Sequence, residues 1–277
     1  MAAVTAKRAL LQLLSAAGAV EVSAAILVEM GELLGFTENN VRVTLARLLA
    51  AGTVELTGRG MYRLGADAQA LGAQVRRWDE LERQVRRWDG GWACVYVADL
   101  PRSDRSAQAK RDRALRLLGF RALARGLEVR PDNLDGGVDV LRERLRALGA
   151  GEPIVFRGSS FDAPTEAKAR ALWDAAKLTL GYRQTRERIA RWLAHAETLE
   201  EETAAREAFH FGGDILRQIL FDPRLPEPLV DVAERRAMLD AAKRLDTFGR
   251  RLWYRLFGMR HGLMADPEEG HEYLALH

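Results

Sequence analysis

The chain has 277 residues, 48% of them hydrophobic and 29% charged, with a net charge of +3. That length suits two or three domains, each able to bury a core, and no apolar run reaches the roughly 20 residues that a membrane-spanning helix needs. A lone cysteine, Cys94, excludes an internal disulfide and a cysteine-based metal cluster, and the five histidines show no pair at helical ligand spacing.

The first apolar stretch, around Ala9 to Ala17, is amphipathic and lacks a signal-peptide cleavage pattern, so a cytoplasmic protein with no membrane association is expected. Leu10, Leu13 and Leu14 give a first helix its stripe. Ile26, Leu27, Met30, Leu33 and Leu34 give a second, with Ser23 placed to cap it. Gly35-Phe36 turns the chain into a third helix that Thr37 can cap.

On this third helix Val41, Leu45, Leu48 and Leu49 share one face. The opposite face holds Asn39, Asn40, Val43, Ala46 and Arg47, flanked by Arg42 and Thr44. Asn can bond adenine through two hydrogen bonds, Arg can bond guanine or phosphate, and Val43 can touch a thymine methyl. Ala46 leaves room for close approach. A hairpin follows over Val54–Leu64, with Gly58-Arg59-Gly60 as a tight tip carrying one cation. Helix plus hairpin reads as a winged helix-turn-helix, with Thr37, Asn39, Asn40, Arg42, Val43, Thr44, Arg47 and Arg59 as DNA-binding candidates. The bland alternative is a small helical domain with a solvated polar face. Residues 1–64 carry six basic and five acidic side chains, a surplus of one, so placement rather than bulk charge carries the argument.

Gln74-Val75-Arg76-Arg77-Trp78-Asp79 recurs ten residues later as Gln84-Val85-Arg86-Arg87-Trp88-Asp89. The span from Ala68 to Trp88 reads as an arginine-dense helix ended by Gly90-Gly91. Its arginines either touch DNA backbone or pair with Glu80, Glu82 and neighbouring elements, the commoner use. Trp78 and Trp88 are expected to dock the connector onto the next domain.

Next the period changes. Trp92–Val97 reads as a strand with Cys94 as a buried thiol, Arg105–Leu118 as a helix, Ala122–Val129 as a strand, Val138–Leu148 as a helix and Pro153–Arg157 as a strand. This order suits a small ferredoxin-like sandwich. After residue 160 helices dominate: Ala163 through Leu180, Arg183 to about Phe209, a short one capped by Asp214, and Ala233–Phe257. The prolines of Phe221–Pro228 break the run, and the acidic stretch Glu197–Glu202 reads as a solvated face. The tail after Gly258 reads as frayed. The expected organisation is thus α+β, mainly α. It comprises a winged helix over 1–66, a connector over 67–91, a ferredoxin-like domain over 92–160 and a helical domain over 161–277.

Several motifs together resemble the PaaX family of bacterial repressors, named for phenylacetate catabolism. They are the N-terminal wing, the junction Trp88-Asp89-Gly90-Gly91-Trp92, the Leu117-Leu118-Gly119-Phe120 stop, and Phe221-Asp222-Pro223-Arg224-Leu225-Pro226, which resembles that family's Asp-Pro-x-Leu-Pro segment. The likeness spans nearly the whole chain. It implies a homodimeric repressor with a Cas2-like middle domain, bound to a palindromic double-stranded DNA operator and released by a small-molecule effector. That effector is an acyl-CoA or aryl-CoA thioester, phenylacetyl-CoA in the type members. Two segments depart from the pattern. Leu229-Val230-Asp231-Val232-Ala233 replaces an Asp-Trp-Pro-Gly type run, and Gly126-Leu127-Glu128-Val129 replaces a Trp-Ile run. These departures leave the effector's acyl group open. His210, Arg217, Trp253 and Tyr254 are the polar and aromatic candidates near a thioester.

No cofactor is expected, and no enzyme. The rival from another class is a Cas2-like metal-dependent nuclease using Asp99, just past the first strand of the middle domain. One carboxylate is thin support, because phosphoryl-transfer sites generally need several oxygen ligands. A coenzyme A-using enzyme finds no glycine-rich phosphate loop or nucleophile-base pair in the sequence.

Overall fold

The computed structural model describes residues 4–18, 20–66, 68, 69, 72, 75, 78–98 and 104–258. It is a mixed α+β chain dominated by helix, with two small antiparallel sheets among the described residues. Two compact units emerge. The first comprises Met1–Asp79, Ile189–Leu216 and Ala241–His277, the second Glu80–Arg188 and Arg217–Asp240. Each therefore includes residues from beyond position 160.

The first unit begins with α1 (Ala6–Ala17), β1 (Val22–Ser23), α2 (Ala24–Leu33) and α3 (Glu38–Ala50), then β2 (Val54–Gly58) and β3 (Met61–Leu64). Each helix start is fixed locally. The hydroxyls of Thr5, Ser23 and Thr37 accept from the amides of Arg8, Ile26 and Asn40, satisfying donors that have no partner inside the helix. The sheet runs β1-β3-β2, with Val22 opposite Tyr62 and Glu55 opposite Arg63. Leu10, Leu14, Leu27, Val41, Leu45 and Leu48 form its core, joined by Ala204, Ala205, Leu252, Trp253 and Phe257. Gly31 sits where α2 crosses α3. A Cβ there would lie 2.5 Å from Val41 Cγ2, so the two helices approach only because that position has no side chain.

One expectation for α3 fails. Leu49 is 37% exposed rather than buried. At 100° per residue it lies about 80° around the helix from Val41, at the margin of the stripe.

In the second unit the connector departs from a continuous α-helix. Trp78–Gln84 is a 3₁₀ turn, and the chain from Val85 to Gly91 is not helical. Val85 bridges to Leu134 and the Arg86 amide donates to the Asn133 carbonyl, so long-range pairing wins over helix propensity. Most of Gln74–Arg77 lies outside the described residues. Trp88 packs edge-on against Trp92 at 5.3 Å, and its indole N–H donates to the Gly91 carbonyl.

The sheet of this unit is built from β4 (Trp92–Tyr96), β5 (Arg121–Ala124), β6 (Leu127–Pro131) and β7 (Ile154–Gly158). Helices α4 (Arg105–Leu117) and α5 (Gly137–Ala147) are interleaved with them. The expected single strand over Ala122–Val129 is a hairpin turning at Arg125-Gly126, where Gly126 has φ 80°. The order becomes β-α-β-β-α-β, and the sheet runs β5-β6-β4-β7 with every neighbouring pair antiparallel. Ala93, Val95 and Val155 pack against Ala114, Leu115, Leu141 and Leu145. Cys94 is buried, and burial pushes its thiol up to about 11.

The remaining helices are α6 (Ala163–Arg170), α7 (Ala175–Ala196), α8 (Glu201–Leu220) and α9 (Val232–Trp253), the last followed by a π-helical turn over Tyr254–Gly258. Their breaks differ from the expected ones. Asp174 accepts from the Lys177 amide and Glu200 from the Thr203 amide, restarting the helices as N-caps. Asp214 lies inside α8 instead of capping a separate helix, and it pairs with Arg8 at 3.4 Å. Glu197–Glu202 spans the turn into α8 rather than one helix face. No helix of the described residues is long and apolar enough to cross a membrane.

Candidate nucleic-acid interface

Because Val41, Leu45 and Leu48 point into the first unit's core, the geometry of a helix turns Asn39, Asn40, Arg42, Val43, Ala46 and Arg47 outward. All six are exposed, and Thr44 is half-exposed. Val43, a β-branched apolar residue, is 40% exposed with no core to serve. Among the described residues of the first unit, the outward side of α3 is therefore not packed into the core.

The charges on this face divide into paired and unpaired. Arg42 Nε lies 2.7 Å from Glu38 Oε1, one turn earlier on the same helix. In the hairpin Arg63 meets Glu55 across the strands at 3.1 Å. For Arg47 and Arg59 no ion pair occurs among the described residues. Thr44 Oγ1 donates to Asn40 Oδ1 at 3.3 Å, which biases the Asn40 amide to turn its NH₂ outward as a donor. Arg59 stands at the tip between β2 and β3, where Gly60 adopts φ 73° and a register shift falls between Leu56 and Gly58. Thr37, the cap of α3, is exposed beside Glu38.

The four thioester candidates divide between the units, with His210, Trp253 and Tyr254 in the first and Arg217 in the second. His210 is half-buried on α8 beside Phe209, whose ring meets Trp253 at 5.7 Å. Burial, then the positive charge of Arg206, holds the His210 imidazole below its ordinary value. Its Nδ1 is buried without a hydrogen-bond partner. Trp253 is a core residue stacked on Phe257 at 5.3 Å, and Tyr254 starts the π-helical turn. Arg217 is exposed and belongs to the second unit. Asp99, on which the nuclease alternative rests, lies outside the described residues. Among those that are described, no group of three or more His, Cys, Asp or Glu could hold a metal ion.

Sequence reasoning missed two features. A surface groove beside the hairpin is lined by Leu49, Val54, Leu56, Thr57 and Arg63, with Leu56 51% exposed. In the second unit Arg130, Arg224 and Arg235 are buried together with Asp222. The only sequence signal for the latter was an arginine within the apolar alternation of Leu127–Pro131.

Residues 173–255 match the family model described as the PaaX-like protein C-terminal domain. A solved structure, an uncharacterised protein Rv0674 from Mycobacterium tuberculosis, is similar with a TM-score of 0.55 and 25% identity. The match covers 90% of this chain and 98% of that one. No curated protein matches. Over residues 173–255 the chain is thus similar to the C-terminal domain of PaaX-like proteins.

Proposed function

We propose that the chain is a PaaX-like transcriptional repressor that binds a palindromic operator in double-stranded DNA as a homodimer. On this reading α1 to α3 with β1 to β3 form a winged helix, and β4 to β7 with α4 and α5 form a ferredoxin-like, Cas2-like middle domain. The observation that carries it is the outward face of α3. Two asparagines, an exposed valine and the unpaired Arg47 stand on a helix whose other side is buried. A B-DNA major groove, about 12 Å wide, admits one such helix and offers acceptors and donors that amide and guanidinium groups distinguish. Arg59, at a glycine-bounded tip, suits a phosphate or a minor-groove edge.

The effector belongs to the same reading: an acyl-CoA or aryl-CoA thioester in the cytoplasm. His210, Trp253 and Tyr254 are to be tested together and Arg217 separately. Such an effector can release DNA only by preferring a geometry in which the two reading helices no longer fit their half-sites.

The test is selection of duplexes from a random library by the full chain, followed by anisotropy titration. Selected duplexes are expected to bind at least about tenfold more tightly than scrambled ones, with symmetric half-sites about one helical turn apart. Equal affinity for both would overturn the reading. Loss of binding on adding phenylacetyl-CoA or another thioester, but not free coenzyme A, would identify the effector class.

A further inference from the structure

The second unit buries more guanidinium than carboxylate. Arg130, Arg224 and Arg235 are 0%, 6% and 1% exposed. Arg235 is matched by Glu82, which its Nε and Nη2 reach at 3.0 and 3.1 Å. Arg130 gives its hydrogen bonds to neutral acceptors only: the carbonyls of Leu118, Pro131 and Pro223 and the Asn133 amide oxygen.

Arg224 differs from both. Its backbone is held firmly, with N–H donating to Asp222 Oδ1 at 2.7 Å, the carbonyl accepting from Asn133 Nδ2 at 2.8 Å, and φ at 51°. Its side chain is not. Nε and Nη1 are buried with no hydrogen-bond partner. Buried donors left unmade are costly, so such a pair calls for an acceptor.

Arg224 borders a small, partly open cavity together with Leu81, Glu82, Asp222, Arg235 and Met238. Its volume is about 10 Å³, room for a single atom-sized occupant. The charge balance there is uneven. Arg130, Arg144, Arg224 and Arg235 act on one another in this cluster, against the carboxylates of Asp132, Asp222 and Glu82. Of these, Asp132 is also engaged by Arg86 and Arg157.

We propose that this cavity holds one monoatomic monovalent anion of the chloride class, bound by the Nε–H and Nη1–H of Arg224. A water molecule would take up the donors but leave the excess buried charge; a halide answers both. Carboxylate and phosphate groups are too large for the space. Burial brings the Arg224 guanidinium down to about 10, so it keeps its proton at neutral pH. Burial also raises the Asp222 carboxyl, weakening the nearest competing negative charge.

The test has two arms, both on the full chain. Thermal unfolding is followed in sodium chloride and sodium gluconate at matched ionic strength. The midpoint is expected to rise saturably with chloride alone, and Arg224→Asn, which tolerates the left-handed backbone, is expected to abolish that difference. Equal behaviour in the two salts, or a chloride effect kept by Arg224→Asn, would overturn the proposal. Should the variant fail to fold, the second arm decides with the unaltered protein. Crystals grown in bromide are expected to show an anomalous peak beside Arg224, and a cavity without one would overturn the proposal. Neither arm involves DNA, so its failure leaves the repressor reading untouched.

Discussion

Arg235 and Glu82, 153 residues apart in sequence, form a two-pronged ion pair, Nε to Oε2 at 3.0 Å and Nη2 to Oε1 at 3.1 Å. The arginine side chain is 1% exposed and the glutamate 16%. The third prong, Nη1, donates to the Leu225 carbonyl at 2.5 Å. The first turn of α9 is thereby tied to the 3₁₀ turn before β4 and to the proline-rich loop.

Removing one partner of such a pair strands the other. Among the described residues, Arg235→Ala leaves Glu82 with only the exposed Arg236 at 3.2 Å. The expected loss is about 3–5 kcal/mol of unfolding free energy, measured by urea denaturation of the full chain. A loss below about 1 kcal/mol would show that the pair is as weak as a surface bridge.

Gly31→Ala tests the α2–α3 crossing. The new methyl would meet Val41 Cγ2, which belongs to a fully buried, stiff side chain. Overpacking of this kind costs about 1–3 kcal/mol. A fall in thermal midpoint is expected, and a Gly31→Ala,Val41→Ala double variant should regain part of it by vacating the contact. Unchanged stability in the single variant would mean that the helices can shift apart freely.

Base readers and phosphate clamps should behave differently in the proposed repressor. Arg47→Ala or Asn39→Ala is expected to cost about 1–3 kcal/mol and to relax preference at one base position. Arg59→Ala should weaken all sequences alike and flatten the salt dependence by about one unit. Indistinguishable effects across selected and scrambled duplexes would reverse this assignment of roles.

Cys94 gives a prediction in alkaline pH. Its folded thiol is pushed up to about 11 from an ordinary 9.0, so the folded state favours the protonated form. The stabilisation is complete below pH 9 and is lost as pH rises toward about 11. Cys94→Ala should flatten the stability profile over that window. In the native protein at pH 8 a thiol reagent should label Cys94 only as fast as the chain opens; rapid labelling would contradict its burial.

What the sequence made legible was local. Ser23 and Thr37 announce their helices because a cap acts over three residues. The alternation and glycines of Val54–Leu64 announce the hairpin. The strand Val22–Ser23 was hidden, since two residues carry no period and their partners, Tyr62 and Met61, lie about forty positions away. The Arg125-Gly126 turn was hidden because one glycine inside a short, partly apolar run reads equally well as a bulge within a single strand. Breaks at 171–174 and 197–200 escaped because Ala, Glu and Arg favour helix on both sides, and only the capping bonds of Asp174 and Glu200 fix where it restarts. On the candidate interface the outward face of α3 was readable from spacing, while Leu49's exposure and the pairing of Arg42 and Arg63 depended on packing and cross-strand register.

The Glu55–Arg63 pair also has a quantitative corollary. It commits one cation of the hairpin internally, as Glu38 does for Arg42, so each copy of the chain offers few ionic anchors from this face. If Arg59 neutralises one phosphate while Arg47 reads a base, one copy displaces only about one counterion through this clamp, and a solitary module would let go readily at moderate ionic strength. Tight holding would then come from avidity: two tethered modules engaging adjacent half-sites, the second at high effective concentration once the first has landed.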